Sequence, residues 1–256
     1  MTRIVFVLLF LLSSLLTGRE FFHADGDWIA QGVQAVEREI RRAETLETGL
    51  PREQLSQPPK FSGSPYVELN SNIPFFHGEN PLPEGYESYS PLDDLGRCGP
   101  AEANLSPSLM PTGKREPIGM IKPSGWHTVR YDDVIEKKYL YNRCHLIGFQ
   151  LAGENANERN LITGTRYLNV EGMLPFENRL SHYVKTSGNH VRYCVTPDFR
   201  EGELVARGVR LEAESVEDKG KGISFNVYCY NVQPGIEIDY KTGNSRLKTD
   251  SWEGVK

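Results

Sequence analysis

One stretch of the chain carries side chains whose types and intervals could do chemistry. Asn142, Arg143 and His145 stand together in Tyr-Asn-Arg-Cys-His; Asn160 follows, then Asn169, then Glu177. Phosphodiester hydrolysis needs three things: an activated water, neutralised phosphate charge and help for the departing oxygen. A histidine with an ordinary pKa of ~6.5 can take a proton from water at neutral pH. An asparagine oxygen can bind a hard cation such as Mg²⁺, which keeps several waters and recruits phosphate oxygens, so one protein ligand can suffice. Arginine offers a planar fork matched to phosphate. Each residue also has a structural use. His145, followed by Leu-Ile-Gly-Phe, could be a core histidine, and Asn160 could close a turn. Asn169 and Glu177 could sit on a helix surface, and Arg143 could hold an ion pair. Their joint spacing argues for a site. Cys144 beside His145 raises the question of a thiol nucleophile, but neighbours on a strand point to opposite faces.

With its flanks, Tyr141 to Arg179 closely resembles the Asp-Arg-Gly-His motif and downstream Asn, Asn and Glu of the DNA/RNA non-specific endonucleases, a family of the ββα-metal class. Residues 96–105 (GRCGPAEANL), 118–131 (IGMIKPSGWHTVRY) and 230–243 (YNVQPGIEIDYKTG) look like its bacterial DNA-entry branch. The resemblance covers roughly residues 60 to 247. It implies an α+β fold, with a central antiparallel sheet and a ββα-metal core. By the same resemblance His145 is the general base, and Asn169 binds Mg²⁺ directly, with Mn²⁺ as a substitute. Glu177 completes the metal site by holding a metal-bound water, Asn160 orients His145 or shapes the metal site, and Arg143 contacts or organises the phosphate. Two residues depart from the motif: Asn142 stands in place of the acid and Cys144 in place of the glycine.

Several elements must position these groups. Tyr66 to Asn70 alternates like a short strand, and Gly/Pro-rich loop follows through Pro91. Val191 to Val195 and Ile223 to Val232, rich in Val, Tyr and Phe, are further strand candidates. Tyr167 to Val184 has helical apolar spacing, which Pro175 must kink or divide. That proline puts the shared face of Asn169 and Glu177 in question.

The front of the chain concerns address. Arg3 precedes an apolar run from Ile4 to Leu16, and Arg19-Glu20 follows it, a layout that fits a secretory signal. As a helix the run would rise roughly 20 Å, short of a ~30 Å hydrocarbon core. No clean small-x-small cleavage site follows, so residues 1–24 are expected to be a signal peptide or a membrane anchor. Residues 25–60 read as an amphipathic helix over 27–48 and a linker carrying Pro58-Pro59, leaving 61–256 as the nuclease domain. The expected location is secreted or membrane-anchored outside the cytoplasm.

The 256 residues carry a net charge of -5, an acidity concentrated in front. Asp25 to Leu95 holds 13 acids and 5 bases, so the remainder is net positive. Mild acidity argues against a histone-like partner held by net charge alone, though not against a local grip on nucleic acid. Residues 114–145 offer Lys114, Arg115, Lys122, Arg130, Lys137, Lys138 and Arg143 against four acids, a strip suited to phosphates. From it, Lys122, Arg130 and Arg143 are the candidate substrate contacts. Trp126 could stack on substrate or sit in the core. Export favours disulfides, and among three connectivities Cys98–Cys144 and Cys194–Cys229 are the expected pairs.

The expected function is sequence-non-specific hydrolysis of DNA, with RNA as a second substrate. Two other readings stay open: a DNA-binding module that has lost cleavage, and a secreted nuclease toxin. No C-x-x-C pair suggests a zinc ribbon, and no base-reading motif is visible.

Overall fold

The computed structural model describes residues 57–248. The signal or anchor segment and the 27–48 helix expected from the sequence lie outside them. Among the described residues, no helix is long and apolar enough to cross a membrane.

Six strands form one antiparallel sheet: β1 (Tyr66–Glu68), β2 (Glu87–Tyr89), β3 (Ala101–Leu105), β6 (Val191–Pro197), β7 (Gly208–Ser215) and β8 (Ser224–Tyr230). Their spatial order is β1-β8-β7-β6-β3-β2. Period-2 alternation sends Val191, Tyr193 and Val195, Val209, Leu211 and Ala213, and Phe225, Val227 and Cys229 to one buried face. Tyr193 is wholly buried, and its register partners on either side are Ala103 and Ala213. The small partners leave volume for the ring, which explains alanines in two central strands despite their weak β preference. The other face is polar and partly roofed by the segment after β1. There the Phe75 amide donates to Glu212 Oε1 (2.7 Å), and Asn226 Nδ2 donates to the Ile73 carbonyl (2.9 Å).

Against the apolar face lies a separate unit made of a hairpin and a helix. Strands β4 (Tyr141–His145) and β5 (Leu161–Thr165) pair antiparallel, with Cys144 opposite Ile162 and His145 opposite Leu161. Between them run a one-turn helix, α1 (Phe149–Ala152), and a 3₁₀ turn at Glu158–Asn160. After β5 a π-helical segment, Leu168–Met173, leads into α2 (Leu174–Ser187). Leu180 and Val184 of α2 are fully buried against the sheet, each contributing about 1.5–3 kcal/mol of apolar burial. Gly188, at φ 74°, ends the helix in the left-handed conformation that glycine adopts without strain. The α+β expectation and its ββα core are therefore present. Strands β2, β3 and β7 are additions to the sequence reading.

Asn231 fastens the hairpin to the sheet. Its Nδ2 donates to the carbonyls of Thr163 (3.0 Å) and Ala206 (2.8 Å), and its Oδ1 accepts from the Thr165 amide (2.8 Å). A second hairpin, β9 (Ile236–Ile238) with β10 (Ser245–Leu247), backs the loop carrying Trp126. At its tip Gly243 accepts a hydrogen bond from the Tyr141 hydroxyl (2.8 Å), and a Cβ there would lie 2.1 Å from the Gly125 carbonyl.

The expected disulfides do not form; all four cysteines are free thiols. Cys194 lies on β6 and Cys229 on β8, with β7 between them, and Cys229 faces the apolar core while Cys194 faces away with Thr196. Cys98 Sγ instead meets the carbonyls of Glu158 (3.3 Å) and Leu161 (3.2 Å), while Cys144 Sγ points to Asn169 and Met173.

Candidate active site

The end of β4 and the start of the π-segment and α2 open onto one cleft of about 740 Å³. His145, Asn142, Arg143, Asn169 and Glu177 line it, together with Arg115, Trp126, Tyr139, Gly148 and Gln150. Lys122 and Arg130 do not. Arg130 lies outside it, paired with Asp132 (3.1 Å) and set over the Tyr139 ring.

His145 is buried, with 6% exposure. Its Nε2 lies 2.8 Å from the Asn155 carbonyl, an acceptor, so Nε2 carries the proton. The bare Nδ1 then faces Arg115 Nη2 at 3.3 Å. Burial lowers the histidine's pKa; the Asn155 bond opposes that shift and the Arg115 charge reinforces it. An imidazole kept neutral, with one nitrogen tied and the other offered to the cleft, is the form a general base requires.

Asn160 is completely buried and does not touch the imidazole. Its Oδ1 accepts from the Ile147 amide (2.9 Å) and its Nδ2 donates to the Ile147 carbonyl (3.0 Å), while its own carbonyl accepts from the Leu146 amide (2.9 Å). It clamps the two residues that follow His145, and so positions rather than reacts.

The π-segment answers the question raised by Pro175. Two residues eight apart on an α-helix are offset by about 80°. Here the Leu174 amide reaches the Asn169 carbonyl, an i to i−5 bond. A π-turn amounts to one extra residue in an α-helix. The separation then counts as seven, and the offset falls to about 20°. Pro175, which has no N–H to donate, directly follows the π-turn at the start of α2, so the bond it cannot make falls where the ladder is already widened. Asn169 and Glu177 consequently share the cleft face.

Glu177 is nearly buried beside Gly148 and Gln150. Burial pushes its pKa up to about 7, opposed by the Arg115 charge and by hydrogen bonds from the Gly148 amide and the Gln150 side chain. Arg143 lines the cleft and is also tied to the loop before β4. Its Nε donates to the Ile121 carbonyl and its Nη2 to the Gly119 carbonyl (2.7 Å), with its guanidinium 4.1 Å from the Trp126 ring centroid. It folds the 119–126 loop into a cleft wall. Trp126 lines the cleft and packs on the cluster of Ile135, Leu140, Tyr141 and Ile236. Arg115, one base among seven in the 114–145 strip, is the guanidinium that meets the histidine. Only its loop's fold back onto β4 marks it out, and that is not a local sequence signal.

Among the described residues no group of three or more His, Cys, Asp or Glu could hold a metal. The donors present, an amide oxygen and a carboxylate with room for water, fit a hard cation that keeps most of its hydration. Cys144 is no competing donor, since burial holds its thiol protonated.

This fold and site define a ββα nuclease core. A model of the DNA/RNA non-specific endonuclease family matches residues 79–217, over half of the chain, and the chain belongs to that family. A deoxyribonuclease of Streptococcus dysgalactiae subsp. equisimilis is 34% identical over 123 residues, which are 45% of this chain and 36% of that relative. The chain thus spans about a third of the relative's length. Crystal structures of NucA from Streptococcus agalactiae, without metal and with magnesium bound, align with a TM-score of 0.65 at 25% identity, covering 80% of this chain and 95% of theirs. The structure of Sda1 nuclease with bound zinc aligns at 0.55 and 27% identity, covering 64% and 82%.

Proposed function

We propose that the protein is an exported, Mg²⁺-dependent endonuclease that cleaves DNA without sequence preference. The observation that carries this reading is the convergence of His145 Nδ1, Asn169, Glu177 and Arg115 on one cleft. His145 Nδ1 takes the proton of the attacking water, while the Asn155 carbonyl holds the imidazole through Nε2–H and balances the positive charge that develops. Arg115 turns its guanidinium from the histidine to the phosphate as substrate enters. Asn169 and Glu177 would hold Mg²⁺, Glu177 through a water; the ion supplies neutralisation of phosphate charge and of the leaving oxygen. The magnesium-bound NucA structure supports the choice of ion. The apolar run at Ile4 to Leu16 supports export. The cleft lining includes Trp126, Tyr139 and Tyr141, aromatic rings on which any base can stack, in keeping with sequence-independent cutting.

The test is degradation of supercoiled plasmid by the full chain with Mg²⁺, with EDTA, and with His145→Ala. Metal-dependent cleavage that the substitution abolishes, with DNA affinity retained, is the expected result. A folded, Mg²⁺-loaded protein that binds DNA and leaves it intact would instead be a binding module. Arg115→Ala should weaken DNA binding and lower its salt slope by about one, whereas Lys122→Ala should change cleavage little.

A further inference from the structure

The motif's glycine is replaced here by Cys144, and the thiol is not idle filling. Its Sγ lies 3.1 Å from Asn169 Oδ1, and that oxygen is the only polar side-chain oxygen or nitrogen recorded as its partner among the described residues. Met173 Sδ lies at 3.5 Å, with Leu168 and Gly164 of the facing strand beside it, and Glu177, Arg115 and Tyr193 are near enough to act on the thiol electrostatically. Space for the thiol is built in, because a Cβ on Gly164 would stand 2.6 Å from Cys144 Cβ and 3.1 Å from its Sγ. A thiol has one proton to give, and of its two neighbours the amide oxygen is the stronger acceptor.

We propose that Cys144 is a positioning residue for the cation site: its S–H donates to Asn169 Oδ1 and so fixes which amide atom, oxygen rather than NH₂, is presented for metal. An asparagine can flip its amide at little cost when nothing distinguishes its two ends. A flipped Asn169 would present two N–H donors where a cation needs an oxygen. The thiol penalises that flip, because an amide NH₂ turned toward it would exchange the S–H···O bond for a contact with sulfur, a weak acceptor, and leave the S–H only Met173 Sδ. The oxygen's second lone pair remains for the cation. The inference rests on the nuclease reading and adds to it a residue that acts through the ligand without touching metal or substrate.

The test is Mg²⁺ titration calorimetry on the full chain, with Cys144→Ala and Cys144→Ser beside the parent, and with plasmid cleavage followed against Mg²⁺ concentration. Losing a group that orients a ligand weakens metal binding about tenfold or more. Cys144→Ala should show that loss and need correspondingly more Mg²⁺ for half-maximal cleavage, with the rate recovering at saturating metal. Cys144→Ser, which keeps a donor, should bind Mg²⁺ much as the parent does. Unchanged Mg²⁺ affinity in a folded Cys144→Ala, or equal losses in both variants, would overturn the proposal. A second readout keeps the side chain in place: the infrared S–H stretch assigned to Cys144 should shift as Mg²⁺ is added to the parent protein. A band that does not move counts against it, even if Cys144→Ala fails to fold. A parent protein that binds no Mg²⁺ and cuts no plasmid overturns the nuclease reading and this proposal together. Normal binding and cleavage indifferent to residue 144 remove only the latter.

Discussion

The carboxylate of Glu177 lies against the backbone of Gly148, so closely that a Cβ at residue 148 would stand 2.7 Å from its Oε1 and 2.9 Å from its Oε2. Gly148 has φ -62° and ψ 144°, a conformation any residue adopts. Its lack of a side chain is therefore a requirement of the site and not of the backbone. Gly148→Ala should push Glu177 from its place, lowering Mg²⁺ affinity and cleavage about tenfold or more while the thermal midpoint moves little. Calorimetry with Mg²⁺, beside a thermal melt in EDTA, would check it. A large fall in the melt with unchanged metal affinity would contradict it.

The two titrating groups of the cleft shift in opposite directions. Burial raises Glu177 from 4.5 to about 7, so between those values the folded protein holds a proton that the unfolded chain has lost. This stabilisation is full below about pH 4.5 and disappears as pH rises through about 7. His145 is lowered, so its effect runs the other way and costs stability as pH falls below ~6.5. Thermal melts in EDTA from pH 4.5 to 8, with Glu177→Gln compared with the parent, isolate the first group. The parent's advantage over Glu177→Gln should shrink as pH rises. Mg²⁺ affinity should increase over the same range, because the ion competes with the Glu177 proton.

Asn160 spends both ends of its amide on Ile147. Asn160→Ala leaves a buried amide and a buried carbonyl unpaired, each worth about 1–3 kcal/mol. Urea unfolding should register a loss of that order, and cleavage should fall because the residues after His145 lose their clamp. Asn160→Asp keeps the acceptor but sets a buried carboxylate oxygen against the Ile147 carbonyl, and should cost at least as much.

The thiols give a further check. Burial pushes Cys98 and Cys194 up to about 11, and Cys144 and Cys229 are raised further inside the core. In the native state a thiol reagent should find them slow to react, with half-buried Cys194 the first. Denaturation without reductant should release four reactive thiols per chain. Dithiothreitol should leave the thermal midpoint unchanged.

That His145, Asn169 and Glu177 would meet was reached in the sequence through the family motif they resemble; the three fall within one hairpin and one helix, which bring them to one cleft. Strands β6 and β8 were legible through alternating Val, Tyr and Phe. Strand β3 was not, since Ala101 and Ala103 look weak until Tyr193 is set between Ala103 and Ala213. The Cys194–Cys229 pairing failed on sheet order and facing, neither of which a sequence displays. Arg115 did not stand out in the sequence because a distant loop delivers it to His145, whereas Arg143 lies on the hairpin itself and lines the cleft while bonding the carbonyls at 119 and 121.

The π-turn separates two ways of measuring distance along a helix. Counted in residues, Asn169 and Glu177 are eight apart; counted in turns of the hydrogen-bond ladder they are two, the interval that seven residues give in a regular α-helix. The same pair can thus be encoded at two spacings. Deleting one residue between Val170 and Met173 would regularise the ladder and keep both side chains on one face, whereas inserting one would turn Glu177 away. A search that fixes the interval at eight will overlook chains that write this site with seven.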